Sequence, residues 1–158
     1  MKAVVFHGPG DVRLETRPVP VPGAGEVRLR VLQAGLCSTD RHIVQGHFAV
    51  RPPRILGHEL AGRVEAAGEG VSEEWIGRDV AVRPASFCGR CGPCRQGAPQ
   101  LCENFESLGN TRDGGFAEYT LAPADQLVPL DKLAAFEGIW LEPLACVLRA
   151  VEAAEPAA

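Results

Sequence analysis

Residues 88–102 read CGRCGPCRQGAPQLC, and the spacing of their cysteines decides how this part of the chain folds. Four thiolates can close a tetrahedral zinc site, and short C-x2-C steps place successive sulfur atoms around one ion. Gly89 and Gly92 permit the tight backbone that such packing requires. The segment contains no histidine and no acidic residue, so the pattern predicts a closed, structural zinc site. Its ligands would be Cys88, Cys91, Cys94 and Cys102.

The alternative for these cysteines is a buried or disulfide-paired cluster. The chain has six cysteines in 158 residues, and its N-terminus lacks the apolar stretch of a secretory signal. Cysteines in a chain without an export signal favour metal binding or catalysis over disulfides as the interpretation. We therefore expect a zinc-binding protein of the reducing cytoplasm.

Length and composition exclude several other classes of protein. The chain is long enough for one domain, and 46% hydrophobic with 23% charged residues is ordinary globular composition. A formal net charge of −4 and a pI near 5.6 argue against a nucleic-acid partner. No apolar run approaches the roughly 18 residues that would span a bilayer, so no membrane partner is expected.

Outward from the cysteine segment, short alternating runs separated by glycine and proline predict a mainly β fold with short helices added late. Helical spacing appears only near the end of the chain, over 133–155, where Pro143 lies near a helix start. Leu144, Val147, Leu148 and Val151 share one face of that helix. The predicted strands cover residues 3–6, 12–16, 27–32, 60–66, 80–82 and 116–121.

A second set of possible metal ligands is spread along the chain, as in an open catalytic site. Cys37 lies in GLCSTDRH (residues 35–42), and His58 and Glu59 lie in GHELAG (residues 57–62). Taken singly, Cys37 also suits a small buried residue and His58 a hydrogen-bonded surface imidazole.

Four segments resemble those of the zinc-dependent medium-chain dehydrogenases, which include alcohol, polyol, glucose and threonine dehydrogenases. They are the cysteine segment at 88–102, the two segments that contain Cys37 and His58, and DGGFAEY at residues 113–119. The order and spacing of the segments agree from Met1 to about Ala150. The resemblance implies a GroES-like β-barrel over residues 1–135, with the cysteine lobe at 86–108. Residues 136–158 would be a helical segment leading toward a nucleotide-binding Rossmann domain that is absent from this chain.

The resemblance also implies roles for particular residues. Cys37, His58 and Glu59 match positions at the catalytic zinc, with Glu59 a direct ligand in some branches and behind the metal in others. Glu142, within EPLAC at residues 142–146, matches a further glutamate ligand, and Cys146 is the competing candidate. Two zinc ions per chain are expected.

Three residues near Cys37 are assigned by the same resemblance. Thr39 matches the hydroxyl that contacts the substrate oxygen, His42 matches the imidazole that passes the proton outward, and Asp40 would orient a zinc ligand. Ser38, Thr39 and Asp40 also read as a helix start, and the two roles are compatible.

A dinucleotide site requires a strand, a G-x-G-x-x-G turn and then a helix. The G-x-G pairs at residues 8–10, 23–25 and 68–70 continue to Arg13, Arg28 and Glu73, and none opens a helical pattern. We therefore expect a catalytic domain alone, inactive by itself, which meets NAD or NADP only through the missing domain. The exposed apolar helix face predicts a homo-oligomer.

Two functions follow from these expectations. In the first, the chain is the zinc-binding catalytic domain of an enzyme that oxidises a small alcohol or polyol. In the second, it is a stand-alone zinc-binding module with a structural or interaction role. The joint presence of Cys37, Thr39, His42, His58, Glu59 and Glu142 favours the first, because a structural module needs none of them.

Overall fold

The computed structural model describes residues 1–154, in which antiparallel strands account for much of the regular structure. This confirms the mainly β prediction. The strands are β1 (Lys2–Gly8), β2 (Asp11–Thr16), β3 (Glu26–Gly35), β4 (Arg54–Ile55), β5 (Glu59–Ala67), β6 (Asp79–Val82), β7 (Ala85–Ser86), β8 (Glu106–Ser107), β9 (Tyr119–Pro123) and β10 (Leu127–Pro129). The helices are α1 (Ser38–Val44), α2 (Gly92–Arg95), α3 (Ala135–Gly138) and α4 (Leu141–Ala154).

The strands form a five-stranded sheet in the order β10-β6-β5-β3-β9, a three-stranded sheet β2-β1-β4, and the pair β7-β8. Alternate residues of β3 and β5 point to one face of the larger sheet, as the two-residue period of a strand requires. That face holds the main core, which contains Val27, Leu29, Leu60, Val64, Val80, Val82, Leu108, Ala122 and Leu127.

The first five predicted strands lie within observed strands that extend them by one to three residues at one or both ends, and two later elements are placed differently. The last predicted strand starts at Tyr119 rather than at Phe116, because the Phe116 N–H donates to the Leu56 carbonyl in a turn-like segment. The predicted helix over 133–155 is two helices, α3 and α4. Pro143 lacks the N–H that a continuous helix would direct to the carbonyl of Ile139, so the helix is interrupted between Gly138 and Leu141. Residues 155–158 lie outside the described part of the chain.

The cysteine lobe leaves the larger sheet after β6 and returns before β9. Leu108 anchors its end in the main core, and the Leu108 N–H donates to the Pro84 carbonyl at 3.1 Å. The Arg112 guanidinium pairs with Glu26 of β3 and with Glu106 of the lobe. An apolar anchor and an ion-pair bridge therefore hold the lobe to the sheet.

Helix α4 packs against β5, and its predicted apolar face is open. Leu144, Val147, Leu148 and Val151 are 50–61% exposed. Within residues 1–154, no helix combines the length and apolar character needed to cross a bilayer.

Candidate metal centres

The lobe brings all four of its cysteines to one point. The Sγ atoms of Cys88, Cys91, Cys94 and Cys102 lie within 4.8 Å of one another. None of the cysteines forms a disulfide, and the Sγ atoms of Cys91 and Cys102 are 3.9 Å apart.

Local backbone geometry produces this cluster. Gly89 has φ +68°, a left-handed conformation that disfavours a side chain. Cys91 caps α2, and Pro93 lies in its first turn, where a missing N–H costs least. The N–H groups of Cys88 and Asn104 each donate to the Cys102 sulfur at 3.3 Å.

The electrostatics of the lobe favour a bound cation. Backbone N–H groups of Arg90 and Cys91 lower the pKa of Cys88 to about 6. Desolvation, together with the Cys91 and Cys102 thiols, raises the pKa of Cys94 to about 12. Four sulfur atoms this close cannot all carry negative charge without a compensating cation, and thiolates are strong ligands for zinc. The donor set therefore fits a closed zinc site.

The second cluster joins Cys37, His58 and Glu59, whose ligand atoms also lie within 4.8 Å of one another. Strand register explains their proximity, because Gly35 of β3 pairs with Glu59 of β5. Cys37 follows two residues after Gly35, and His58 directly precedes Glu59. A Cβ at Gly35 would lie 2.5 Å from the Glu59 carboxylate, so glycine is required at this pair.

The DGGF segment positions the loop before His58. The N–H groups of Gly114, Gly115 and Phe116 donate to the carbonyls of residues 55, 57 and 56 at 2.8–2.9 Å. The Asp113 carboxylate accepts from the Ile55 N–H at 3.1 Å. A motif about 60 residues away in sequence thus fixes the backbone that presents the imidazole.

Asp40 connects the two loops that carry the ligands. Its carboxylate is buried and accepts from the N–H of Cys37 at 3.0 Å and from that of Gly57 at 3.2 Å. Cys37 is the N-cap of α1, and Asp40 lies at the third helical position. Asp40 therefore stabilises the helix start from the third position and links the loops that carry Cys37 and Gly57, while its role in orienting a zinc ligand stays a prediction.

The same carboxylate lies 3.7 Å from Nδ1 of His58. In the metal-free arrangement, Asp40 raises the pKa of His58 to about 9, against the opposing effect of burial. Zinc coordinates the neutral imidazole, so metal binding would release this proton.

Thr39 and His42 follow Cys37 on α1, and of the two only His42 is fully exposed. The Thr39 hydroxyl is 3.7 Å from the Cys37 sulfur, and His42 follows one turn later on α1. Sequence reasoning did not single out His47, whose ring centroid is 6.0 Å from that of His42. His47 belongs to no recognisable sequence motif. Only the turn that follows α1 in the folded chain brings it back toward the helix.

Glu142 and Cys146 lie one turn apart on α4, with their side chains 3.5 Å from each other. They are not part of the three-residue cluster. Desolvation and the Glu142 carboxylate raise the pKa of Cys146, with further effects from Cys37 and Glu59. Leu141, at the start of α4, packs on the buried cluster of Ala61, Ala81 and Leu130. Ala61 lies two residues after Glu59 on the same face of β5, so the start of α4 lies near the end of β5 that carries Glu59.

A cleft of about 960 Å³ lies between α4 and the end of β6. Pro84, Ala85 and Phe87 line this cleft, whereas Gln45 borders a separate cavity. Sequence reasoning missed Arg83 and Arg149, because only the folded chain places them in one cleft. The lining residues are Ala81, Val82, Arg83, Pro84, Ala85, Phe87, Val128, Leu141, Glu142, Ala145, Cys146 and Arg149.

Comparison with known proteins agrees with the family resemblance found in the sequence. The alcohol dehydrogenase GroES-like domain matches residues 23–132. A sorbitol dehydrogenase of Halalkalibacterium halodurans is 38% identical over 96% of this chain and 45% of its own length. These matches confirm the expected GroES-like architecture.

Two solved structures superpose closely. An NADH-bound alcohol dehydrogenase (rspB) of Escherichia coli has TM-score 0.91 and 37% identity over 99% of this chain and 46% of its own. A zinc-binding dehydrogenase of Sinorhizobium meliloti bound to NADP has TM-score 0.91 and 39% identity, over 96% of this chain and 44% of its own. The chain thus spans less than half the length of the relatives it matches.

Proposed function

This chain belongs to the zinc-dependent medium-chain alcohol dehydrogenase family, and from that premise we propose that it is the zinc-binding catalytic part of an NAD(P)-dependent enzyme. The reaction would oxidise a small alcohol or polyol to a carbonyl compound. The observation that carries this proposal is the cluster of Cys37, His58 and Glu59 beside the Thr39 hydroxyl. The four-cysteine lobe alone would equally suit a structural module.

The residues of the cluster would hold a catalytic zinc ion, with Glu142 as a further ligand and Cys146 as the alternative. When bound, the ion would act as a Lewis acid that lowers the pKa of a substrate hydroxyl. A second zinc ion in the cysteine lobe would be structural.

The chain's own groups provide a path for the substrate proton. Thr39 is half-buried beside Cys37, where its hydroxyl can accept the proton of the substrate hydroxyl while donating its own proton onward. His42 lies three residues later and therefore on the same helix surface. Its imidazole is exposed, so it can pass the proton to solvent.

The described residues do not fit a dinucleotide. All paired strands named above run antiparallel, and residues 1–154 contain no glycine-rich turn between a parallel strand and a helix. We therefore place NAD(P) binding in another part of the enzyme. Unpaired cysteines agree with a reducing, cytoplasmic setting.

A chimera tests this function. Residues 1–154 are fused to the part of the NADH-bound Escherichia coli relative that lies beyond the matched region, and reduction of NAD or NADP is followed with a panel of alcohols and polyols. We expect zinc-dependent turnover that Cys37→Ser abolishes. A chimera that holds two zinc ions and binds NADH, yet oxidises nothing, would favour the stand-alone module.

A further inference from the structure

The cleft beside the mixed metal centre carries two arginines that the proposed proton path does not use. Its lining is largely apolar and includes Glu142 and Cys146. Leu141 of the same lining packs on the buried cluster that contains Ala61, which lies on the same face of β5 as Glu59. Arg83 and Arg149 are the remaining charged side chains of the lining.

Helical spacing places Arg149 on the same side of α4 as the candidate ligands. Leu141, Ala145 and Arg149 recur every four residues, and Glu142 and Cys146 form the adjacent row. At 1.5 Å per residue, Arg149 lies about 10 Å along the helix axis from Glu142. A group bound by Arg149 would thus be several atoms away from the hydroxyl that reacts.

The positive charge of Arg83 is not compensated by an acidic partner. Its Nη2 donates to the main-chain carbonyl of Asp125 at 2.7 Å, which orients the guanidinium without neutralising it. In the described part of the chain, no carboxylate lies within 4.0 Å of this side chain.

The charge of Arg149 is only weakly engaged. Its Nη1 lies 3.3 Å from the Glu152 carboxylate, and the two side chains are 79% and 67% exposed. Exposed ion pairs of this kind contribute little, so an incoming anion could replace Glu152.

Resting on the proposed function, we infer that this cleft binds a substrate with an anionic end group, a carboxylate or a phosphate, at Arg83 and Arg149. The substrate class is then hydroxy acids or polyol phosphates rather than neutral polyols. Guanidinium groups suit both anions, because their planar donors match two oxygen atoms at once.

The test uses the full chain with cobalt(II) in the mixed site as a spectroscopic probe. Sorbitol, sorbitol 6-phosphate and gluconate are titrated separately, with inorganic phosphate as a control for the anion alone. We expect one or both anionic alcohols to perturb the cobalt spectrum at about tenfold lower concentration than sorbitol. The phosphate and carboxylate arms identify which end group is preferred.

Three variants test whether Arg83 and Arg149 cause the preference for anionic alcohols. Arg83→Gln and Arg149→Gln should each remove most of the preference while leaving the response to sorbitol unchanged. Arg51→Gln is the matched control, because Arg51 is exposed and does not line the cleft.

The outcomes separate the two proposals. Equal responses to sorbitol and the anionic alcohols, or a preference that survives both variants, would overturn this inference and leave the proposed function standing. A cobalt spectrum that no alcohol perturbs would overturn both.

Discussion

Asp40 is the single residue on which the mixed site depends most after the ligands themselves. It is 1% exposed and accepts from two main-chain N–H groups, one in each ligand-bearing loop. A buried carboxylate with two such donors holds the loops at a fixed separation. The two candidate ligands in these loops, Cys37 and His58, are 21 residues apart in sequence.

Asp40→Asn should therefore weaken zinc binding at the mixed site by about 10–100-fold, because the amide can accept one of these bonds but presents a donor to the other. Competition with a chelator of known affinity measures the change. Asp131→Asn is the matched control, since Asp131 makes an exposed ion pair with Arg78. Equal zinc affinity in Asp40→Asn and the parent would contradict this role.

A substitution at Gly114 tests how tightly the DGGF segment holds the loop before His58. A Cβ there would lie 2.1 Å from the Gly57 carbonyl oxygen, so Gly114→Ala must displace that loop. We expect a loss of about 1–3 kcal/mol in the free energy of unfolding, together with weaker zinc binding at the mixed site.

Gly92→Ala is the control for this prediction, because nothing lies within 4 Å of a Cβ at Gly92 and its φ is not positive. The tight backbone expected from the sequence at this position is therefore not seen. Denaturant unfolding of the zinc-loaded proteins compares the two variants. If Gly114→Ala unfolds at the same denaturant concentration as Gly92→Ala, Gly114 is not packed against the Gly57 carbonyl as closely as proposed.

At the residue scale, sequence motifs identified Cys37, His58 and Glu59 as candidates that the fold then brings together. The roles of Arg83 and Arg149 could not be predicted in this way. Arginines are common on surfaces, and only packing of α4 beside β6 places these two in one cleft.

At the scale of elements, the β3–β5 register is the feature that assembles the mixed site. A shift by one residue would turn Glu59 to the opposite face of its strand. Alternation along the chain predicted these strands well, since one face of each is buried. It did not predict that Phe116 precedes β9, because that boundary depends on a hydrogen bond to the distant Leu56.

The cysteine lobe has little apolar core of its own. Apart from Cys91 and Cys102, its buried apolar content is confined to Leu108 at its end. We therefore expect zinc binding at the four cysteines to supply much of the folding free energy of this segment.

Cys102→Ser should accordingly unfold the lobe and remove one zinc ion, while Cys37→Ser should remove one zinc ion and leave the fold nearly intact. Hydrogen exchange resolved by segment distinguishes them: residues 89–108 should lose protection in Cys102→Ser alone. Should both variants keep the thermal stability of the parent, the division into structural and catalytic sites would be wrong.

At the scale of the whole molecule, the open face of α4 is the most conspicuous unpartnered surface. Leu144, Val147, Leu148 and Val151 form an apolar row that is 50–61% exposed within residues 1–154. Apolar patches of this kind favour association.

We therefore expect the chain to self-associate above about micromolar concentration through this face. Leu148→Glu should shift the association to higher concentration, because a carboxylate would be buried in the contact. Val21→Glu is the control, being 81% exposed and outside α4. Light scattering over a dilution series gives the comparison, and a parent that stays monomeric throughout would refute the expectation.

We propose that the chain holds two zinc ions for two different purposes. The lobe offers four sulfur ligands and would form a closed site, whereas the mixed cluster offers one sulfur ligand and would leave a position open to a competing ligand. The most direct measurement is zinc content per chain during graded chelation, with cobalt spectra reporting which site empties. We expect two ions, with the mixed site emptied first and the cysteine site retained. One ion at the outset, or two lost in parallel, would contradict this proposal.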